Sequence, residues 1–179
     1  MFDMRIREDL ALTLIERHHA EEIYAMVDSN RTYLREWLGW VDGATGTELY
    51  REEVIPAWLQ QFAEGDGCTA GIRHDGKFVG IINLHFINRQ LRSTSIGYYL
   101  REDAQGNGIM TDAVKALTDY CFDVLDLNKV TIQCATGNVK SRSIPERLGF
   151  SLEGISRDEE FINGHYNDIA TYSLLRKER

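Results

Sequence analysis

The segment Gln105-Gly106-Asn107-Gly108-Ile109-Met110-Thr111 leaves this chain few folds to choose from. It follows a strand-like run, Ser95 to Leu100, and opens a helix-like run that continues from Asp112 to Phe122. Two glycines at a strand-to-helix turn let the backbone curl so that successive N–H groups converge on one spot. The positive end of the helix dipole points there too. Such a turn suits a pyrophosphate, and three owners compete for it: a dinucleotide, a nucleoside triphosphate and coenzyme A.

The surrounding elements narrow the choice. Leu10, Leu12 and Leu14 alternate with Ala11, Thr13 and Ile15, which predicts a first strand buried on both faces. His18 to Val27 sets Ala20, Ile23 and Val27 at helical spacings. A short helix is expected over Asn30 to Trp37, and a longer one from about Thr47 to Ala63 despite Pro56. Thr69 to His85 reads as two strands around Asp75-Gly76, a pair suited to a tight hairpin, with a third strand over Arg92 to Leu100. After the glycine turn and its helix come a strand at Lys129–Ala135, a short helix near Lys140–Leu148 and two strands joined at Asn163-Gly164. No repeat, low-complexity tract or linker interrupts the series. Residues 1–179 are therefore expected to form a single α+β domain, a mixed sheet with helices on both sides.

That order disposes of two owners. A triphosphate loop would read Gly-x-x-x-x-Gly-Lys-Ser/Thr, and the chain has no such run. A dinucleotide fingerprint needs a third glycine where Thr111 stands, and it follows the first strand of a parallel unit rather than a meander. Charge and composition exclude further classes. A formal net charge of −8 argues against a nucleic-acid surface and is compatible with cationic amines. No apolar run approaches the roughly 18 residues of a membrane span. The stretch Met1 to Arg7 has no apolar signal core, so a cytoplasmic location is expected. Cys68, Cys121 and Cys134 are far apart and form no Cys-x-x-Cys pair, which predicts buried, reduced thiols. Adjacent histidines diverge, so His18-His19 reads as a helix start, and no metal is expected.

With coenzyme A left as the owner, the chain resembles the GNAT superfamily of N-acetyltransferases over nearly its whole length. The superfamily's acetyl-CoA loop, Gln/Arg-x-x-Gly-x-Gly/Ala, falls on Asp103-Ala104-Gln105-Gly106-Asn107-Gly108, with Asp103 departing from the first position. Asn138-Val139-Lys140-Ser141 followed by Arg147-Leu148-Gly149-Phe150 is similar to the Asn-x-x-Ser…Gly-Phe segment of the branch that acetylates ribosomal-protein N-termini. Asn30 to Trp40 resembles that branch's substrate-side helix, and Gly164 to Leu175 its last strand.

The resemblance implies a GNAT fold, a predominantly antiparallel twisted sheet of about seven strands flanked by helices. It would splay between the strand ending near Leu100 and the strand at Lys129–Ala135. Acetyl-CoA is the implied cosubstrate. Its pyrophosphate would sit on Gln105, Gly106, Asn107, Gly108, Ile109, Met110 and Thr111, and its pantetheine arm along Tyr98, Tyr99 and Leu100, with Asn138 and Ser141 nearer the thiol. A bulge splays the superfamily's strand before the loop, and Gly97 is the expected site. A backbone N–H near Tyr99 would then face the thioester oxygen, a donor worth about 3–4 kcal/mol.

Ser141 is implied as the acid that protonates the departing thiolate; a helix-capping serine is the alternative. Pro145 lacks an N–H, so the Ser141 carbonyl four residues earlier loses its helical partner and the helix should kink or tighten. Strand alternation lets only one of Glu159 and Glu160 enter the cleft, and the resemblance places the general base at Glu160; a water chain acting on a free α-amine, and a solvated acidic face for both residues, are the alternatives. Tyr33, Trp37 and Trp40 are candidates for the amine pocket or for plain core packing.

The implied activity is acetyl transfer to a primary amine, foremost the N-terminal α-amine of a protein such as a ribosomal protein, by a homodimer. A polyamine or aminoglycoside acceptor keeps the chemistry and suits the charge of −8 at least as well. A non-catalytic acyl-CoA-binding module keeps only the loop.

Overall fold

The computed structural model describes residues 3–179; Met1 and Phe2, part of the N-terminal stretch read above, lie outside the described residues. The strands are β1 (Asp3–Arg7), β2 (Leu10–Leu14), β3 (Cys68–His74), β4 (Lys77–Leu84), β5 (Ser93–Leu100), β6 (Lys129–Ala135), β7 (Ser151–Ile162) and β8 (His165–Leu175). They form one 8-stranded sheet in the order β1-β2-β3-β4-β5-β6-β8-β7. The additional strand relative to the sequence reading is β1. Among the described residues it pairs only with β2, and its residues Asp3-Met4-Arg5-Ile6-Arg7 carry too few apolar side chains to stand out as a strand.

The helices are α1 (Ala20–Ser29), α2 (Arg31–Leu34), α3 (Thr47–Leu49), α4 (Ile55–Glu64), α5 (Ile109–Asp123) and α6 (Val139–Arg147). The long helix expected from Thr47 is not uniform, because a π-helical stretch, Tyr50–Val54, separates α3 from α4. Pro56 falls in the first turn of α4, where a missing N–H costs least. Asp75 and Gly76 (φ 49° and 76°) and Asn163 and Gly164 (φ 54° and 83°) take the left-handed conformations that a two-residue hairpin requires.

Every neighbouring pair is antiparallel except β5 and β6. Their parallel register runs from Ser93↔Lys129 to Ile96↔Ile132 and stops, although both strands continue. β5 stays with β4 as far as Gly80↔Leu100, while β6 stays with β8 as far as Ala135↔Ile169. The two strands are thus drawn apart by their other partners. No bulge occurs at Gly97, contrary to expectation: the β4–β5 register is unbroken from Leu84↔Ile96 to Gly80↔Leu100, and the irregularity lies wholly on the β6 side.

The sheet separates two apolar cores. On the back face, Ile82, Ile96, Val130 and Ile132 pack with Ala113, Val114 and Phe122 of α5. On the front face, Phe78 and Ile81 pack with Ile23 and Val27 of α1 and Ile55 of α4. Alternation along β5 sends Tyr98 to the back cluster and Tyr99 to the front one. The diverging strand ends therefore open between the two cores.

Candidate active site

The glycine turn places its backbone as the sequence suggested. Gly106 (φ 82°) and Gly108 (φ 72°) are both left-handed, and Gly108 leads directly into α5. The helix therefore starts at Ile109, earlier than the Asp112 expected from side-chain pattern alone. Its first N–H groups lie beyond the reach of intrahelical partners and are available to an anion.

A cavity of about 820 Å³ opens in the splay, a size suited to a small-molecule ligand. It gathers most of the residues singled out from sequence. Tyr98, Tyr99, Leu100, Gln105, Gly106, Gly108, Ile109, Met110, Thr111, Asn138 and Ser141 line it, as do Tyr33 and Trp37. Asn107 does not; its amide turns back to the Gln105 carbonyl at 3.3 Å. Trp40 lies outside the lining, with its ring 5.5 Å from that of Tyr99. Glu160 is also outside it, on β7 opposite Asn167, whose amide donates to its carboxylate at 3.4 Å.

Two cations in the lining escaped the sequence reading. Lys140 donates to Gln105 Oε1 at 2.9 Å and lies 5.6 Å over the Tyr33 ring, while the Gln105 amide donates to the Tyr33 hydroxyl. One glutamine thus ties α2 to α6 across the cavity mouth. Arg147 donates to Thr111 Oγ1 at 2.7 Å, beside the start of α5. Lys140 and Arg147 are two helical turns apart on one face of α6, and that spacing was the available signal.

Strand pairing decides which backbone groups of β5 face the cavity. His85 N–H donates to the Ser95 carbonyl at 2.9 Å, and Arg101 N–H to the Val79 carbonyl at 2.8 Å. Hydrogen-bonded pairs alternate in an antiparallel ladder, so Tyr99, opposite Ile81 between those two pairs, also directs its N–H to β4. Tyr98 and Leu100 present theirs to the splay. The donor expected near Tyr99 is accordingly not that of Tyr99 itself, whose N–H is spent within the sheet.

On α6, Asn138 caps the helix: its Oδ1 accepts the Ser141 N–H at 3.0 Å. Ser141 is therefore not the capping residue. Its carbonyl, orphaned by Pro145, accepts the Tyr98 hydroxyl at 3.0 Å, and α6 continues to Arg147 without breaking. The Ser141 hydroxyl lies 3.4 Å from the same phenol. Burial pushes the Tyr98 phenol well above its ordinary pKa, so it stays protonated and able to donate. Cys134 of β6 adjoins this group. Burial raises its pKa, opposed in part by its interaction with the Ser141 hydroxyl, so the thiol is not a ready nucleophile. Cys121 is buried and pushed up to about 12, and the half-buried Cys68 to about 11, as inert core thiols are.

The arrangement offers convergent N–H groups with two cations at one end of a slot, unpaired strand backbone along it, and a hydroxyl pair at the other end. Residues 9–151 match the family model described as Acetyltransferase (GNAT) domain. YdaF of Bacillus subtilis (strain 168), provisionally named a ribosomal N-acetyltransferase, is 38% identical over 99% of this chain and 97% of its own length. The spermidine N(1)-acetyltransferase of Escherichia coli (strain K12) is 37% identical over 92% of this chain and 84% of its own. Among solved structures, RimL, a ribosomal L7/L12 alpha-N-protein acetyltransferase in complex with coenzyme A, matches with a TM-score of 0.95 at 24% identity, covering 99% of this chain and 100% of that one.

Proposed function

This chain belongs to the GNAT acetyltransferase family as an N-acetyltransferase of the ribosomal-protein type, and from that premise we propose that it transfers acetyl from acetyl-CoA to the N-terminal α-amine of a protein, a ribosomal protein foremost. The observation that carries the cosubstrate is the splay beyond Ile96↔Ile132, which frees the Tyr98 and Leu100 backbone for an extended pantetheine arm. The Gly106–Thr111 backbone with Lys140 and Arg147 would take the pyrophosphate. The Ser141 hydroxyl would protonate the departing thiolate, held at its place by the Asn138 cap and Tyr98. We assign no proton transfer to Glu160.

The cavity's charges belong to its cosubstrate end, where Asp112 is paired with Arg7 and Lys140 and Arg147 are assigned to the pyrophosphate, so the peptide acceptor rests on the likeness to YdaF. The polyamine reading retains support from the 37% identical spermidine acetyltransferase and the net charge of −8. We further place the enzyme in the cytoplasm as a homodimer.

The test is coenzyme A release against three acceptors: peptides with free N-termini, peptides with blocked N-termini but free lysines, and polyamines. Turnover confined to free N-termini is expected. Preference for a polyamine would overturn the peptide assignment.

A further inference from the structure

A second cavity, of about 220 Å³, lies on the back face at the other end of α5 from the glycine turn. Its floor is the sheet, through Leu14 of β2 and Cys68 and Ala70 of β3, and its roof is Leu117 and Tyr120 of α5. Met4 and Phe62 close one side. None of its described lining residues belongs to the cavity in the splay, and acetyl transfer as proposed uses none of them.

Three features of this lining specify what fits. Apolar cavities of roughly 150 Å³ accept benzene, so this one has room for a single ring with about three further heavy atoms. No Asp, Glu, Lys, Arg or His stands among the described lining residues. A carboxylate or ammonium brought here would lose its hydration and gain no partner. The rings of Phe62 and Tyr120 and the thioether of Met4 favour a flat aromatic molecule over a branched chain.

The same lining holds two donors with nothing to donate to. Among the described residues the Tyr120 hydroxyl makes no hydrogen bond, and neither does the Cys68 thiol on the opposite wall. Burial pushes both above their ordinary pKa values, and the nearby Cys68 adds to the rise at Tyr120, so both keep their protons at pH 7. The phenol is the stronger donor of the two.

We propose that this cavity binds a small neutral aromatic molecule carrying one oxygen acceptor, its ring against Met4, Phe62 and Leu117 and its oxygen on the Tyr120 hydroxyl. Such a site is independent of acetyl transfer and of the acceptor assigned above.

Isothermal titration of the full chain with three single-ring probes tests this. Acetophenone, neutral with one carbonyl, is expected to bind saturably. Ethylbenzene lacks the acceptor and should bind about fivefold more weakly, the worth of one neutral hydrogen bond. Benzoate, charged at pH 7, should not bind. Tyr120→Phe should bring acetophenone down to the affinity of ethylbenzene. Cys68→Leu and Ala70→Leu each extend a side chain into the cavity from the sheet, and either variant that keeps the native circular dichroism spectrum should lose binding. Saturating CoA should leave the acetophenone affinity unchanged. Absence of acetophenone binding up to its solubility limit, or undiminished binding in a folded filled variant, would overturn the proposal. So would benzoate binding as tightly as acetophenone, or displacement of acetophenone by CoA, which would move the probe to the splay.

Discussion

At the scale of single residues, Tyr98 and Pro145 solve one problem together. A proline four residues after Ser141 removes a helical donor, which is legible in sequence; the replacement donor, 43 residues away, is not. Leaving that carbonyl unsatisfied should cost about 1–3 kcal/mol, so Tyr98→Phe is expected to lower the urea-unfolding free energy by that amount. In a Pro145→Ala background an amide N–H returns and most of the loss should vanish; a double-mutant cycle by urea titration measures this coupling. Ser141 is a separate matter. Its N–H is held by Asn138 whatever side chain it carries, so Ser141→Ala should preserve CoA affinity. Acetyl transfer should nevertheless fall roughly 10²-fold, read by thiol release under saturating acetyl-CoA. Glu160 is implied by the family resemblance and not by its acidic run, and nothing in that run shows that β7 carries it outside the cavity lining.

At the scale of elements, the strands and hairpins were legible because turn chemistry and alternation agree. Lys129–Ala135 emerged with the bounds expected, and both two-residue hairpins fell at Asp75-Gly76 and Asn163-Gly164. Departures arose where a neighbour overrode local pattern. The π-helical stretch before Pro56 and the unbulged Gly97 are set by packing and by pairing with β4. Gly108 gives a sharper test of the phosphate turn. Nothing lies within 4 Å of a Cβ placed there, so Gly108→Ala meets no clash and pays only for φ 72°, on the order of 1 kcal/mol. If the turn cradles an anion through its backbone, relaxation away from that φ should weaken CoA binding. Isothermal titration should show a raised Kd with the native circular dichroism spectrum retained. Unchanged affinity would place the anion elsewhere.

At the scale of the whole molecule, the shifted groups that titrate below pH 7 push stability in one direction. His19 is buried at 5% exposure, edge-on to Phe78, and its Nδ1 accepts the Glu16 N–H at 3.0 Å, a bond that a protonated ring cannot make. Burial lowers its pKa below the ordinary 6.5. A depressed histidine contributes stability that is present above pH 6.5 and is lost as pH falls through the folded value, because the unfolded chain then binds more protons. Five carboxylates follow the same sign at lower pH. Asp9, Asp103, Asp123 and Asp126 are held below their ordinary 3.8 by hydrogen bonds from Arg7, Arg101, Arg179 and Arg176, and Glu153 below 4.5 by Lys129. Their contribution is present above those ordinary values and disappears as pH drops through the folded ones. The urea midpoint should therefore decline in two stages from pH 7, the first below pH 6.5 and the second below about pH 4. The stages differ in their response to salt and mutation. The carboxylate pairs are solvent-exposed and screened, so 0.5 M salt (a Debye length of roughly 4 Å) should shrink the second stage and spare the first. His19→Gln keeps an acceptor for the Glu16 N–H but cannot titrate, and should shrink the first stage alone, leaving the part that His85, also lowered, contributes. None of this was readable from His18-His19 as a dipeptide. The sequence marks a helix start there, but only the packed front core decides that the second ring is buried and neutral while the first is exposed.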